Sequence, residues 1–199
     1  MDIRGYLCKY FYFISMLIIR EIFTIYVKLK VLLMGVKIGK GCKFLGNIRL
    51  YRYPASSIIM GDNCSFLSIS DSNLIGINHK CIVATHNAGA AIKIGNKCGF
   101  SGTIIGAFTE INIGNNVRCG ANTIITDGDW HNDDIRTGIP KPVILCDNVW
   151  LGLNVVVLKG VTIGKNSMIG ANSVVTKNIP ENVIAGGNPC KVLKNLINI

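Results

Sequence analysis

One histidine stands in the most acidic stretch of this 199-residue chain. The segment Thr126-Asp127-Gly128-Asp129-Trp130-His131-Asn132-Asp133-Asp134 carries four of the eleven acidic residues and one of the three histidines. An imidazole with a pKa near ~6.5 takes and returns a proton at neutral pH, which makes His131 the candidate general base. A carboxylate on one ring nitrogen would fix the tautomer and leave the other nitrogen free to accept, and Asp127 and Asp129 are near enough in sequence for that role. By itself, such a segment reads more readily as a solvated acidic turn with an idle histidine. What surrounds it decides between the two.

What surrounds it has a period of six. Leu145, Leu151, Val157, Ile163, Ile169 and Val175 form one register, and Val149, Val155, Val161, Ser167 and Ser173 form a second, two residues earlier. Glycines follow the first register at Gly152, Gly164 and Gly170. A helical face would recur at about 3.6 residues. Six fits a solenoid of short straight runs, three to a coil, with large aliphatic residues in the bore, small ones in tighter inward slots and glycine at the bends. The same aliphatic-glycine step occurs at Ile38-Gly39, Met60-Gly61, Ile75-Gly76, Ile94-Gly95 and Ile113-Gly114, with an insertion around Tyr51 to Ser57. Between Ile125 and Val143 the pattern stops. A solenoid ejects such an insertion as a loop on one face, and such loops commonly bind ligands, so the chemistry is placed at residues 126–142. His79, four residues after Ile75, falls in the small inward register and reads as structural or as pointing from a corner. His86 lies in a looser stretch that can line a cleft.

Three segments follow: an apolar helical segment over residues 1–35, the repeat region over 36–187 and a tail over 188–199. Leu7 to Leu33 contains no proline or glycine and reads as one long helix or two shorter ones. Its longest uncharged run, Tyr10 to Ile19, is far short of the ~20 residues that cross a bilayer. It can pack on the solenoid or a partner subunit, or lie on an anionic membrane through residues 1–34, and the two are compatible. The formal charge of +10 is not gathered into a Lys/Arg block with interleaved aromatics, which argues against nucleic acid as a partner. Cys42, Cys64, Cys98 and Cys119 fall at inward positions, where a thiol acts as a small buried hydrophobe. With no CxxC pair and no secretory signal, a reduced, cytoplasmic protein without a metal is expected.

From Ile94 to Leu193 the chain resembles the hexapeptide-repeat acyltransferases, particularly sugar O-acetyltransferases of the maltose/galactoside type and their polysaccharide-decorating relatives. The residues that carry the resemblance are Asp147-Asn148-Val149-Trp150-Leu151-Gly152, Lys159-Gly160-Val161-Thr162-Ile163-Gly164, Gly170-Ala171-Asn172-Ser173-Val174-Val175-Thr176-Lys177 and Ala185-Gly186-Gly187-Asn188-Pro189-Cys190-Lys191-Val192-Leu193. The resemblance implies a mainly β protein, a left-handed parallel β-helix of hexapeptide repeats with an N-terminal helical segment. It implies a homotrimer that binds acetyl-CoA between subunits, uses no metal and acts on a sugar or glycan hydroxyl. His131 then matches the catalytic histidine. Trp150, Gly152, Leu153 and Ala171 match positions along the cofactor's arm, and Thr176, Lys177, Lys191 and Lys194 match positions near its phosphate end. Ser101, Asn122 and Trp130 are the positions expected to meet the acceptor. Cys146, Lys159 and Asn172 depart from the pattern; the first two are expected to alter only corner geometry, and Asn172 the path of the arm. The alternatives are an N-acetyltransferase on an amino sugar, a zinc enzyme like the γ-class carbonic anhydrases, and a non-catalytic scaffold. The histidine spacings of 7 and 45 do not resemble the zinc family's close downstream pair.

Overall fold

In the computed structural model, which describes residues 2–131 and 133–196, the six-residue spacing becomes three short runs per coil. The coils stack into a three-sided prism with a sheet on each face. The first face runs from Lys37–Ile38 through Ser57–Met60, Ala91–Ile94, Glu110–Ile113 and Val143–Leu145 to Thr162–Ile163, all parallel. The second begins at Lys43–Leu45 and ends at Val183–Gly186, against which Lys191–Asn195 runs back antiparallel. The third stacks Arg49–Tyr51, Ile82–Thr85, Ile104–Ala107, Ile124–Thr126, Val156–Val157 and Val174–Val175.

Both registers point into the bore. Leu145, Leu151, Val157, Ile163, Ile169 and Val175 are buried, as are Val149, Val155, Val161, Ser167 and Ser173. In the early coils the bore holds a column of rings, Phe44 on Phe66 on Phe100, with centroids 5.1 and 4.9 Å apart. The inward cysteines do more than fill space. The thiols of Cys42, Cys64 and Cys98 each donate to a carbonyl of the following coil, Gly61, Gly95 and Gly114, at 3.1–3.2 Å. All eight cysteines are free, and burial pushes the thiols of Cys81 and Cys119 up, away from the reactive thiolate.

The glycines of the repeat serve a different purpose from the one expected. They do not make the bends. The left-handed residue at the first-to-second corner is an asparagine two positions later: Asn116, Asn148, Asn166 and Asn182 have φ between 55 and 59°. Asparagine tolerates this region better than other side chains do, and here its amide is also used. Asn116, Asn148 and Asn166 each donate Nδ2 to the next Oδ1 along the edge, at 2.8–2.9 Å. The glycine is required because the neighbouring coil leaves no room: a Cβ on Gly152 would sit 2.8 Å from the Ala171 nitrogen. Asn172 belongs to the same kind of corner, with φ 58°, and its Oδ1 accepts from Asn154 at 3.0 Å.

Ile75-Gly76 is a correction. Ile75 is 64% exposed and lies outside the register. Residues 68–80 leave the second-to-third edge as an excursion containing a 3-10 turn at Ser70–Ser72, and the bore is rejoined at the buried Cys81 and Val83. His79 is on this excursion and not in an inward slot; its Nδ1 lies 3.4 Å from the Lys80 carbonyl oxygen.

Residues 3–34 form one helix, Ile3–Met34. The Asp2 side chain accepts from the Gly5 N–H at 2.9 Å at its start, and Gly35 ends it in the left-handed conformation at φ 65°. Its last third closes the open end of the bore. Thr24, Val27 and Val31 are buried there, and Thr24 Oγ1 accepts the Phe44 N–H at 3.0 Å. An unpaired buried donor at the end of the stack is thereby satisfied.

Candidate active site

The long loop leaves the third face after Ile124–Thr126 and returns at Val143–Leu145, so it springs from the third-to-first edge. Asp127 is fully buried at its root. Its carboxylate accepts the Phe108 N–H at 2.6 Å, the Thr109 N–H at 2.8 Å and the Thr109 hydroxyl at 2.9 Å, all from the coil before. Its carbonyl accepts the Lys141 N–H at 2.9 Å, which ties the returning limb to the departing one. Asp129 holds the middle of the loop, accepting from the Gly138 N–H at 2.9 Å and forming an ion pair with Lys159 of the next coil. The Lys159 ammonium, with the Gly138 N–H, keeps the Asp129 carboxyl below the usual carboxylate range.

These contacts correct two expectations. Neither Asp127 nor Asp129 orients His131; both are committed to holding the loop. Lys159 does more than set a corner, because it is the cation on which the loop rests. The His131 side chain is exposed, and its main chain is fixed by a bond from its N–H to the Asp129 carbonyl at 2.9 Å and one from the Asp134 N–H to its own carbonyl at 3.1 Å. Among the described residues its imidazole has no recorded hydrogen-bond partner. Asn132 lies outside the described residues.

Trp130 turns back onto the prism. With φ at 68°, it lays its indole over Gly106, where a Cβ would meet Cζ2 at 2.6 Å. It meets His86 edge-on at 4.7 Å between centroids and Phe108 at 5.5 Å, and His86 in turn stacks on Phe108 at 4.7 Å. Together with Arg49, Tyr51, Ile82 and Ile104 on the third face, His86 and Trp130 line a groove of about 630 Å³. Nε2 of His86 is buried there with no hydrogen-bond partner among the described residues. The looser stretch around His86 thus lines a cleft.

Burial lowers the pKa of His86, against an opposing pull from the Asp127 carboxylate. The folded state therefore holds it neutral where an unfolded chain would protonate it. Above the ordinary imidazole pKa of ~6.5 its contribution to stability is complete, and the contribution falls as pH drops through that value toward the lower folded pKa. His86→Phe is expected to remove this part of the acid sensitivity. Urea midpoints at pH of about 7.5 and about 5.5 check it. An equal acid-side loss in both proteins would contradict the assignment.

The other expected positions divide between the edges of the prism. Gly152, Leu153 and Ala171 lie on the second-to-third edge, one coil apart. Trp150 lies on the outer side of the second face, half exposed, and exposed Lys191 and Lys194 lie on its terminal strand. Thr176 and Lys177 follow Val174–Val175 on the third-to-first edge, the edge that bears His131. Ser101 and Asn122 do not join Trp130. Ser101 accepts from Asn73 Nδ2 at 3.2 Å, and Asn122 Oδ1 accepts the Asn78 N–H at 2.8 Å, so both pin the 68–80 excursion on the opposite edge. Among the described residues no group of three or more His, Cys, Asp or Glu is arranged to hold a metal ion.

Residues 142–177 match the family described as bacterial transferase hexapeptide (six repeats). The matched segment forms the fifth and sixth coils of a chain that folds as a left-handed parallel β-helix with an N-terminal helix. Two curated relatives are galactoside O-acetyltransferases. The one from Lactococcus lactis subsp. lactis (strain IL1403) is 49% identical over 92 residues, 44% of each chain. The one from Escherichia coli (strain K12) is 40% identical over 114 residues, 54% of this chain and 56% of that one. The chain thus spans about half the length of the curated relatives it matches. An N-acyltransferase from Bacillus cereus, solved with dTDP-4-amino-4,6-dideoxyglucose and coenzyme A, superposes with a TM-score of 0.66 at 17% identity, over 86% of this chain and 90% of that one, which shows the common fold.

Proposed function

We propose that the protein is an acetyl-CoA-dependent O-acetyltransferase acting on a sugar or glycan hydroxyl, with its active sites formed between the subunits of a homotrimer. The observation that carries this reading is the anchored loop. Buried Asp127 and the Asp129–Lys159 pair hold it on the prism while the His131 imidazole is presented outward, beside the aromatic-walled groove of Trp130 and His86.

The division of the site residues between edges supports a shared cleft. The third face carries an outward apolar ladder, Ile82, Ile104, Ile124, Val156 and Val174, in parallel register. Three copies turning such a face toward a common axis set the third-to-first edge of one beside the second-to-third edge of the next. His131, Thr176 and Lys177 of one copy would then face Leu153 and Ala171 of its neighbour. Along the prism these residues descend in order: His131 after the fourth coil, Leu153 in the fifth, Ala171 and Lys177 in the sixth, and the Lys191 strand last. At ~4.8 Å per coil that track is roughly 15 Å long. It places the base at one end and the mobile ammonium groups that meet phosphates at the other. The exposed, small Ala171 leaves room for an extended arm.

In this arrangement His131 takes the proton of the acceptor hydroxyl as that oxygen attacks the thioester carbonyl carbon. The C–S bond breaks, and the imidazolium returns its proton to the departing thiolate. The transfer needs no acyl-enzyme, and the buried thiols supply no nucleophile. Free thiols and the acetyl-CoA supply fit a cytoplasmic setting. The reading is tested by acetyl-CoA turnover against a panel of hydroxyl and amino sugars, free, nucleotide-linked and lipid-linked. Transfer to a hydroxyl is expected. Transfer only to amines would make the protein an N-acetyltransferase, and no thermal shift with CoA would leave a scaffold.

A further inference from the structure

The helix Ile3–Met34 packs on the first coil by one side only. Its opposite side is an apolar stripe. Leu7, Ile14, Ile18, Ile25, Leu29 and Leu32 recur at helical spacing and are 54–77% exposed. The helix is fixed in place at both halves. The Tyr12 hydroxyl donates to the Asp71 carbonyl at 2.6 Å, and Thr24, Val27 and Val31 are buried against the coil. A continuous stripe of this size on a rigid helix is far more than isolated surface aliphatics would leave.

The charge of the molecule is concentrated at this same end. Residues 2–52 hold ten basic and two acidic side chains, a net +8 of the chain's +10. Arg4, Lys9, Lys28, Lys37, Lys40 and Lys43 are exposed. A groove of about 550 Å³ between the helix and the first coil brings the two features together, being lined by Leu29 and Leu32 of the stripe and by Lys28, Lys37 and Lys40. No described helix is long and apolar enough to cross a membrane.

We propose that this end of the prism docks on an anionic lipid bilayer, the helix lying in the interfacial plane with its stripe among the acyl chains and the surrounding ammonium and guanidinium groups at the phosphates. An apolar stripe alone would suit another protein equally. The excess of positive charge around it selects a negatively charged surface. The inference does not depend on which group the protein transfers.

The test is flotation of the full chain with phosphatidylglycerol/phosphatidylcholine vesicles and with phosphatidylcholine vesicles alone, at low and high salt. Partitioning onto the anionic vesicles is expected to exceed that onto neutral ones at least tenfold and to fall as salt rises. Leu7→Gln/Ile14→Gln/Ile18→Gln is expected to lose at least tenfold in partitioning while keeping the wild-type melting curve. Lys37→Gln/Lys40→Gln/Lys43→Gln, whose side chains lie outside the core, is expected to lose the salt dependence even where the first variant folds poorly. Equal partitioning onto both vesicle types would overturn the proposal, as would equal binding by the lysine variant. A change of sedimentation mass in the apolar variant without any vesicle binding would instead assign the stripe to a second copy of the chain.

Discussion

Replacing His131 by alanine is expected to lower acetyl transfer by about 10²–10⁴, the contribution of a positioned general base, and to leave CoA affinity nearly unchanged. In the proposed arrangement the imidazole lies at the far end of the cofactor track from the lysines, so its removal takes away proton transfer and little binding. Because His131 is exposed, the substitution opens no cavity, and the melting curve should stay as it was. The check is kcat for acetyl-CoA consumption beside CoA affinity from a binding titration. Near-wild-type kcat in the variant would remove His131 from the mechanism, and His86, whose buried Nε2 has no partner among the described residues, would be tested next.

The second large effect is expected at Asp127, and it is structural in origin. Asp127→Ala takes the acceptor away from the Phe108 and Thr109 N–H groups. A buried donor left unsatisfied costs about 1–3 kcal/mol, so the pair should cost about 2–6 kcal/mol of stability. Turnover should fall as well, because the departing limb of the loop loses its anchor and His131 its fixed place. Asp127→Asn keeps one acceptor oxygen and should lose less of both. Denaturant unfolding and kcat, measured on the two variants, check this. An Asp127→Ala protein with wild-type stability but abolished turnover would restore the carboxylate to a direct catalytic role.

The inward pattern was legible because side-chain direction along an extended run is a local property of the backbone. A six-residue register therefore names the bore residues at once, and Leu145 through Val175 are buried as read. The helical segment and its end at Gly35 were legible for the same reason. What escaped depends on how coils stack. The glycine after each aliphatic is set by the backbone of the next coil, and Gly152 against Ala171 involves residues nineteen positions apart, invisible to a local reading. Asp127 spends its carboxylate on Phe108 and Thr109, and Asp129 finds Lys159 thirty residues on, so proximity to His131 in sequence misassigned both. Ile75 misled because an aliphatic-glycine pair occurs by chance outside the register, and its neighbours Leu74 and Gly76 carry no signal that the chain has left the prism. The excursion loop between Ile124–Thr126 and Val143–Leu145 is legible as a break in the pattern. Which edge it shares, and with which lysines, required the topology.

Subunit mixing shows whether the site is shared between copies of the chain. His131→Ala lacks the base, and Ala171→Trp fills the exposed strip on which the cofactor's arm would lie. Each variant alone should be inactive. When the two are unfolded together and refolded as mixed trimers, some clefts combine an intact His131 from one copy with an intact Ala171 from its neighbour. With random mixing that is about a quarter of all clefts, and activity should return to about that fraction of wild type. Mixed trimers that stay inactive, while wild-type protein carried through the same refolding recovers, would contradict a shared site and put His131 and Ala171 to work within a single chain.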